Sequence, residues 1–254
     1  MLPPTGLDLV DALPSKAPPS LEDYVAAVSQ YVRQQATLDD RQRKAAQIRL
    51  SSGLAGALLG ELRRRLPSLT AGASAGEQAV SGALRVAQVD LLEFHPLDGL
   101  RLAVEIKPVN LAVGRAIWNR FGDVRVTAVN LHLKFPFAVV GGVLAIPTYE
   151  EVRRKGGQLV RKGTTSLILR AVDRLVRAGG RRSEAEAAHL LEGVCVIAYD
   201  PDSGRIEPDL PPRGSGLRWD EFVEVMAAAY EARFGSDASE MGDRIEPEAT
   251  TPEG

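Results

Sequence analysis

The sequence predicts an α/β fold, a central sheet flanked by helices, and three of its features carry that reading. Two strand-like runs, VAQVDLLEF from Val86 and LRLAVEIKP from Leu100, meet at the tight loop HPLDG. A polar segment with helical spacing follows, in which Val124, Ala128, Leu131 and Phe135 recur on one face. Then comes FPFAVVGGVLAIP, a run apolar enough to be a buried strand. Strand, strand, helix, strand is the order from which an α/β sheet is assembled. Within LRLAVEIK the charged and apolar residues alternate, so Glu105 and Lys107 share one face while Val104 and Ile106 take the other.

The remaining elements fall around this centre. Residues 1–19 are rich in proline and small residues and read as a flexible arm. Ser20 with Asp23 forms a capping box that opens a helix to about Gln35. Thr37-Leu-Asp-Asp40 repeats the device before a longer helix, Arg41 to Leu66, which Pro67 ends. Gly53, Gly56 and Gly60 weaken that helix but let another element approach closely. SLTAGASAGEQ is loop-like by composition. Val124, Val126 and Val129 suit a strand as well as a helix, and Gly141-Gly142 marks a bulge or a close backbone approach in the next strand. After a basic stretch, Ser183 with Glu186 predicts a short capped helix, Gly193 to Tyr199 a strand, PDSG a turn, and Trp219 to Phe234 an amphipathic helix. Residues 20–234 thus make one domain, and 235–254 an acidic tail expected to be disordered.

Composition narrows the class. With 254 residues and 44% apolar content the chain can bury a core, and no run reaches the ~18 apolar residues of a membrane span. Phe135 to Pro147 is the longest candidate, and the N-terminus lacks the basic start and apolar run of a secretory signal. Cys195 is alone in an apolar strand, which fits a reducing, cytoplasmic setting. The net charge of −2 hides an uneven distribution: −4 over residues 1–40, +14 over 41–182 and −12 over 183–254. Either the basic centre attracts a polyanion, or the acidic ends neutralise it within the fold.

The chemistry-bearing residues lie on the paired strands. If the hairpin closes through Pro96 to Gly99, Asp90 approaches Glu105 from the neighbouring strand, and two close carboxylates make a cation site. Of six lysines only Lys107 has an acid two positions before it. A structural ion-pair cluster would use the same three residues. His132 reads as a hydrogen-bonded structural histidine, since no Cys/His spacing points to zinc, and Trp118 reads as core. Asn119, Arg120 and Asp123 can form a polar network, with Arg120 or Lys134 within reach of a phosphate. Neither a glycine-rich phosphate loop nor a G-x-S-x-G elbow is present. Hydrolysing a phosphodiester needs an attacking water and relief of charge on the phosphoryl oxygens, which Mg²⁺ supplies when held by one or two carboxylates.

Asp90 followed by Glu105-Ile-Lys107 on paired strands, with hairpin, helix and strand in order over residues 50–147, resembles the PD-(D/E)XK nucleases. That fold is shared by many type II restriction endonucleases, and Val89-Asp90 stands here where the family's motif has Pro-Asp. The resemblance implies a restriction-endonuclease-like core with a mixed sheet. It also implies Mg²⁺, with Mn²⁺ able to substitute, held by Asp90 and Glu105, and Lys107 beside the attacking water. A further acid from the preceding helix would be Glu61, with Glu77 and Glu93 as alternatives. Phosphate contacts would come from Arg120, Lys134, Arg153, Arg154, Lys155, Arg161 and Lys162. The implied activity is a DNA endonuclease of a restriction or defence system, acting on double-stranded DNA as a homodimer, with a separately encoded methyltransferase as cognate partner and no membrane. The N-terminal helices and Trp219 to Phe234 are the candidate interface. The alternatives are a nuclease of the same fold acting on RNA or on branched or damaged DNA, and a non-catalytic DNA-binding scaffold.

Overall fold

The computed structural model describes residues 20–69, 71–110 and 112–235, apart from the side chains of Ala36 and Arg153. The arm expected at 1–19 and all but the first residue of the expected tail lie outside the described residues. Helix α1 (Leu21–Gln34) starts at the expected box: the Ser20 hydroxyl accepts from the Asp23 N–H, and the Asp23 carboxylate accepts from the Ser20 N–H. The second box is shifted by two residues. Asp39, not Thr37, caps α2 (Asp40–Arg65) and is capped in turn by Gln42. The Thr37 hydroxyl instead donates to the Gln34 carbonyl at the end of the preceding turn. The three glycines do not interrupt α2, because Leu54, Ala55, Leu58 and Leu62 are buried along it, and tertiary packing outweighs propensity.

Six strands form a mixed sheet. In chain order they are β1 (Ser74–Ser81), β2 (Val86–His95), β3 (Gly99–Pro108), β4 (Val139–Pro147), β7 (Gly193–Asp200) and β8 (Arg205–Ile206), and they lie side by side in that order. β1, β2 and β3 pair antiparallel, β3, β4 and β7 parallel, and β8 antiparallel to β7. Between β4 and β7 in the chain come an antiparallel hairpin, β5 (Tyr149–Arg153) and β6 (Leu159–Gly163), and helix α4 (Thr165–Val176). Helix α3 (Val113–His132) links β3 to β4, and α5 (Trp219–Phe234) closes the fold.

Two readings change. The SLTAGASAGEQ stretch runs into β1, since pairing with β2 satisfies its backbone whatever its composition; Gly76, at φ +117°, sits at the bulge between Ala75 and Gln78. Ser183 opens turns rather than a helix, and the Glu186 carboxylate accepts from the Arg182 N–H instead of capping one. The ambiguous valine-rich segment is helical, as the second half of α3, which starts at Val113, eleven residues before Val124.

The sheet separates two cores. One gathers α1, α2 and α5 over Leu91, Leu102, Val104, Val143 and Ile197, and the other gathers α3 and α4 over Ala103, Val140, Leu144, Ile146 and Val196. Burying each such aliphatic side chain contributes about 1.5–3 kcal/mol. The close approach expected at Gly141-Gly142 is present on both faces. A Cβ on Gly141 would lie 2.8 Å from Met226 Cε of α5, and one on Gly142 would overlap Val124 of α3.

Candidate active site

β2 and β3 begin as a ladder from the His95–Gly99 turn, but the last matched pair is Leu91 with Val104. Beyond it the strands part. Val80, Ala87 and Val89 join the core beneath α3, so the outer half of the β1–β2 hairpin folds over that helix. Asn130 fastens the turn there, with Oδ1 accepting from the Leu84 and Arg85 N–H groups and Nδ2 donating to the Arg85 carbonyl.

Where the ladder ends, the Asp90 carboxylate replaces a main-chain partner: Oδ2 accepts from the Ile106 N–H at 2.7 Å. One strand over, Lys107 Nζ lies 2.6 Å from Glu105 Oε1. Asp90 feels both the Lys107 and Glu105 charges, so the three expected side chains do come together. Asp90 and Lys107 line a cleft of about 380 Å³, with Gln47, Ser51 and Glu77 among its other walls. Glu105 sits just behind this lining, only 5% exposed, and its Oε2 is buried without a hydrogen-bond partner.

Burial pushes the Asp90 carboxyl up to about 6. The Ile106 N–H and the Lys107 ammonium oppose that rise, while the Glu105 and Glu77 carboxylates add to it. Asp90 and Glu105 are the residues here that could hold a hard cation, since a cation would relieve both the disfavoured anion of the one and the orphaned oxygen of the other. Among the described residues no three or more carboxylate, imidazole or thiol groups are placed so that together they could hold a metal ion. Mg²⁺ does not need them, since it commonly keeps several waters and takes one or two protein carboxylates plus substrate oxygens.

Glu61 is not among the residues that line the cleft. Its carboxylate pairs with Arg64 at 2.6 Å. α2 meets the cleft through Gln47, Ile48, Ser51 and Ser52, and at 1.5 Å per residue Glu61 lies about 14 Å further along the helix. Glu77, on β1, lines the cleft instead. Glu93 is fully buried on the other side, accepting from the Tyr230 hydroxyl of α5 at 2.6 Å.

The expected phosphate-binding residues divide into three groups. Arg120 of α3 lines the cleft and pairs with Asp123 at 3.2 Å. Lys134, beyond the C-terminal end of α3, donates to the Ser81 carbonyl and lies over the Phe135 ring, so it ties β1 down and is not a cleft residue. On the β5–β6 hairpin, Arg154 and Lys155 are exposed near the turn, while the Arg153 side chain lies outside what is described. Arg161 is already engaged: both its terminal nitrogens bind Asp202, which also accepts from the Tyr149 hydroxyl. Lys162 lies 4.0 Å from Glu150. His132 is structural as expected, sealed between the Ala188 carbonyl and the Glu192 carboxylate. Trp118 is only half-buried, with the Arg174 guanidinium over its ring.

Gln47, Ser51, Gln88 and Asn110 also line the cleft and were not singled out from the sequence. The i, i+4 spacing of Gln47 and Ser51 on α2 was the available signal for two of them. No family model, curated protein or solved structure matches this chain.

Proposed function

We propose that this chain is a metal-dependent endonuclease that hydrolyses phosphodiester bonds in DNA, with a restriction-endonuclease-like core. The observation that carries the reading is a cleft lined by Asp90 and Lys107, with the buried Glu105 paired to Lys107 behind it and Asp90 held protonated to an unusual pH by burial. A structural ion-pair cluster would satisfy its own charges, whereas Glu105 Oε2 has no partner and Asp90 is disfavoured as an anion.

Asp90 and Glu105 would hold a magnesium ion, which when bound neutralises phosphoryl oxygens and lowers the pKa of a coordinated water. Lys107, which lines the cleft and pairs with Glu105 through Oε1, would donate to the attacking water or to the scissile phosphate. Glu77 replaces Glu61 as the additional acid in this reading, because it lines the same cleft. Cutting both strands of a duplex requires two such sites, so a second copy is enlisted on the substrate.

The test is incubation of the purified chain with plasmid, linear duplex DNA, branched DNA and RNA, in Mg²⁺, in Mn²⁺ and with chelator. The expected outcome is cutting in either metal, none with chelator, and none for D90A, E105A or K107A variants that keep the circular dichroism of the parent. Metal-independent cutting, or cutting that survives all three substitutions, would overturn the proposal. Fixed fragments would mark sequence-specific cleavage of the restriction type, and preferential loss of RNA or branched DNA the related nuclease activities.

A further inference from the structure

Besides the cleft, α3 borders a second concavity. Gly114 and Trp118 of α3, Lys162 and Thr164 next to the β6 end, and Ser166 and Arg170 of α4 enclose a groove of about 220 Å³. At about 100° per residue, Gly114 and Trp118 lie on one flank of α3, and Ala116 and Arg120, which line the cleft, lie on the other. Arg115, Asn119 and Gly122 fall between them, and all three are exposed. The crest of α3 therefore bridges cleft and groove, and Gly122 keeps it low, with open space where a Cβ would stand.

Charge along this path differs from charge on the hairpin. Arg161 is committed to Asp202 and would have to leave it to bind a phosphate. Arg115, Arg170 and Arg174 make no ion pair among the described residues, and Asp173 is the sole acid in α4. Arg174 stacks on Trp118, 4.4 Å from the ring centroid, which fixes its guanidinium beside the groove and takes a ring face that a base would otherwise use. Lys162 lies 4.0 Å from Glu150 Oε1, and Glu150, which also lines the groove, accepts from the Val113 N–H that opens α3 through its other oxygen, so these two charges offset one another. Unpaired cations are those whose engagement with phosphates releases counterions without first breaking a pair.

We infer that the nucleic-acid strand cut in the cleft continues over the crest of α3 into the α3–α4 groove, its backbone phosphates held by Arg115, Arg170 and Arg174. The inference builds on the nuclease reading and adds a track that reads backbone rather than bases. The test measures binding of the full chain to a labelled single-stranded oligonucleotide and to its duplex by fluorescence anisotropy across a salt series, in chelator so that nothing is cut. The triple variant R115Q/R170Q/R174Q is expected to bind at least tenfold more weakly at low salt and to lower the slope of log K against log salt by about 2 on single strands, or about 3 on duplex. A charge-matched control, R64Q/R65Q/R213Q, should leave the slope close to that of the parent. Equal loss in both variants, an unchanged slope in the first, or no binding by the parent overturns the inference. If the parent binds in this way but cuts nothing in Mg²⁺, the track stands and the nuclease reading falls.

Discussion

Asp90 carries the sharpest consequence at the scale of single residues. Its carboxyl titrates near 6 in the fold, against about 3.9 when unfolded, because burial disfavours the anion. Between those values the native state holds the proton more tightly, so stability falls as pH rises from about 4 through 6 and stays reduced above it. An asparagine in its place would retain an acceptor for the Ile106 N–H without the charge. D90N is therefore expected to stabilise the protein by up to about 2–3 kcal/mol at pH 7.5, with little gain at pH 4, as read by urea unfolding at the two values. Destabilisation at pH 7.5 would instead mark Asp90 as part of a structural ion pair. Metal-dependent cutting needs the anion, so its rate should rise with pH, with a midpoint that moves below 6 as the Mg²⁺ concentration is raised, because the cation favours the carboxylate. The extra acid gives a paired prediction: E77Q lowers the cutting rate roughly tenfold to a hundredfold, whereas E61Q, which breaks only a surface pair with Arg64, changes it little.

At the scale of elements, β4 is the axis on which both cores turn, and its neighbours are joined by a buried charge cluster. Glu192, next to β7, accepts from the Val140 N–H of β4, from Arg181 and from Arg233 of α5, and meets His132 of α3. Burial alone would raise its pKa, but the hydrogen bond and charge of His132, the Val140 N–H and the Arg233 charge outweigh it and bring the carboxyl down to about 2. A lowered folded pKa means stability present above the unfolded value of about 4.3 and lost as pH falls towards 2. E192Q leaves two arginines short of their partner and should cost about 3–5 kcal/mol at pH 7 while flattening the acid limb of the stability profile. G142A should cost about 1–3 kcal/mol by forcing Val124, and with it α3, away from β4. Equilibrium unfolding reads both. The Gly-Gly pair was legible in the sequence because two glycines in an apolar run have few other uses. β1 was not, since its strand character comes from hydrogen bonds to β2 and only Val80 among its residues is buried. The Asp90, Glu105 and Lys107 set was legible through alternation on paired strands, whereas Gln88 and Asn110 become site residues only because the ladder parts at Leu91, which no local pattern announces.

For the whole molecule, the uneven charge and the question of a second copy meet. The neutralisation reading holds in part: Asp202 and Glu192 from the acidic C-terminal third neutralise Arg161 and Arg181, while among the described residues Arg115, Arg170 and Arg174 make no ion pair. Two of the helices expected to form a dimer interface, α1 and α5, spend their apolar faces within the chain, whereas α2 also leaves Ile48 exposed. α1 buries Tyr24, Val25, Val28 and Tyr31, and α5 buries Phe222, Met226, Tyr230 and Phe234. Among their described residues only Val225 of α5 is a large apolar side chain left exposed, and nucleic acid held by the crest of α3 would add to association by concentrating two copies on one duplex. The free protein should then sediment as a monomer at micromolar concentration. Plasmid should be nicked at a rate proportional to protein, and linear product at limiting protein should rise more steeply than in proportion. A linear product appearing in strict proportion to protein, without a nicked precursor, would mean that one copy cuts both strands and that the second site is dispensable.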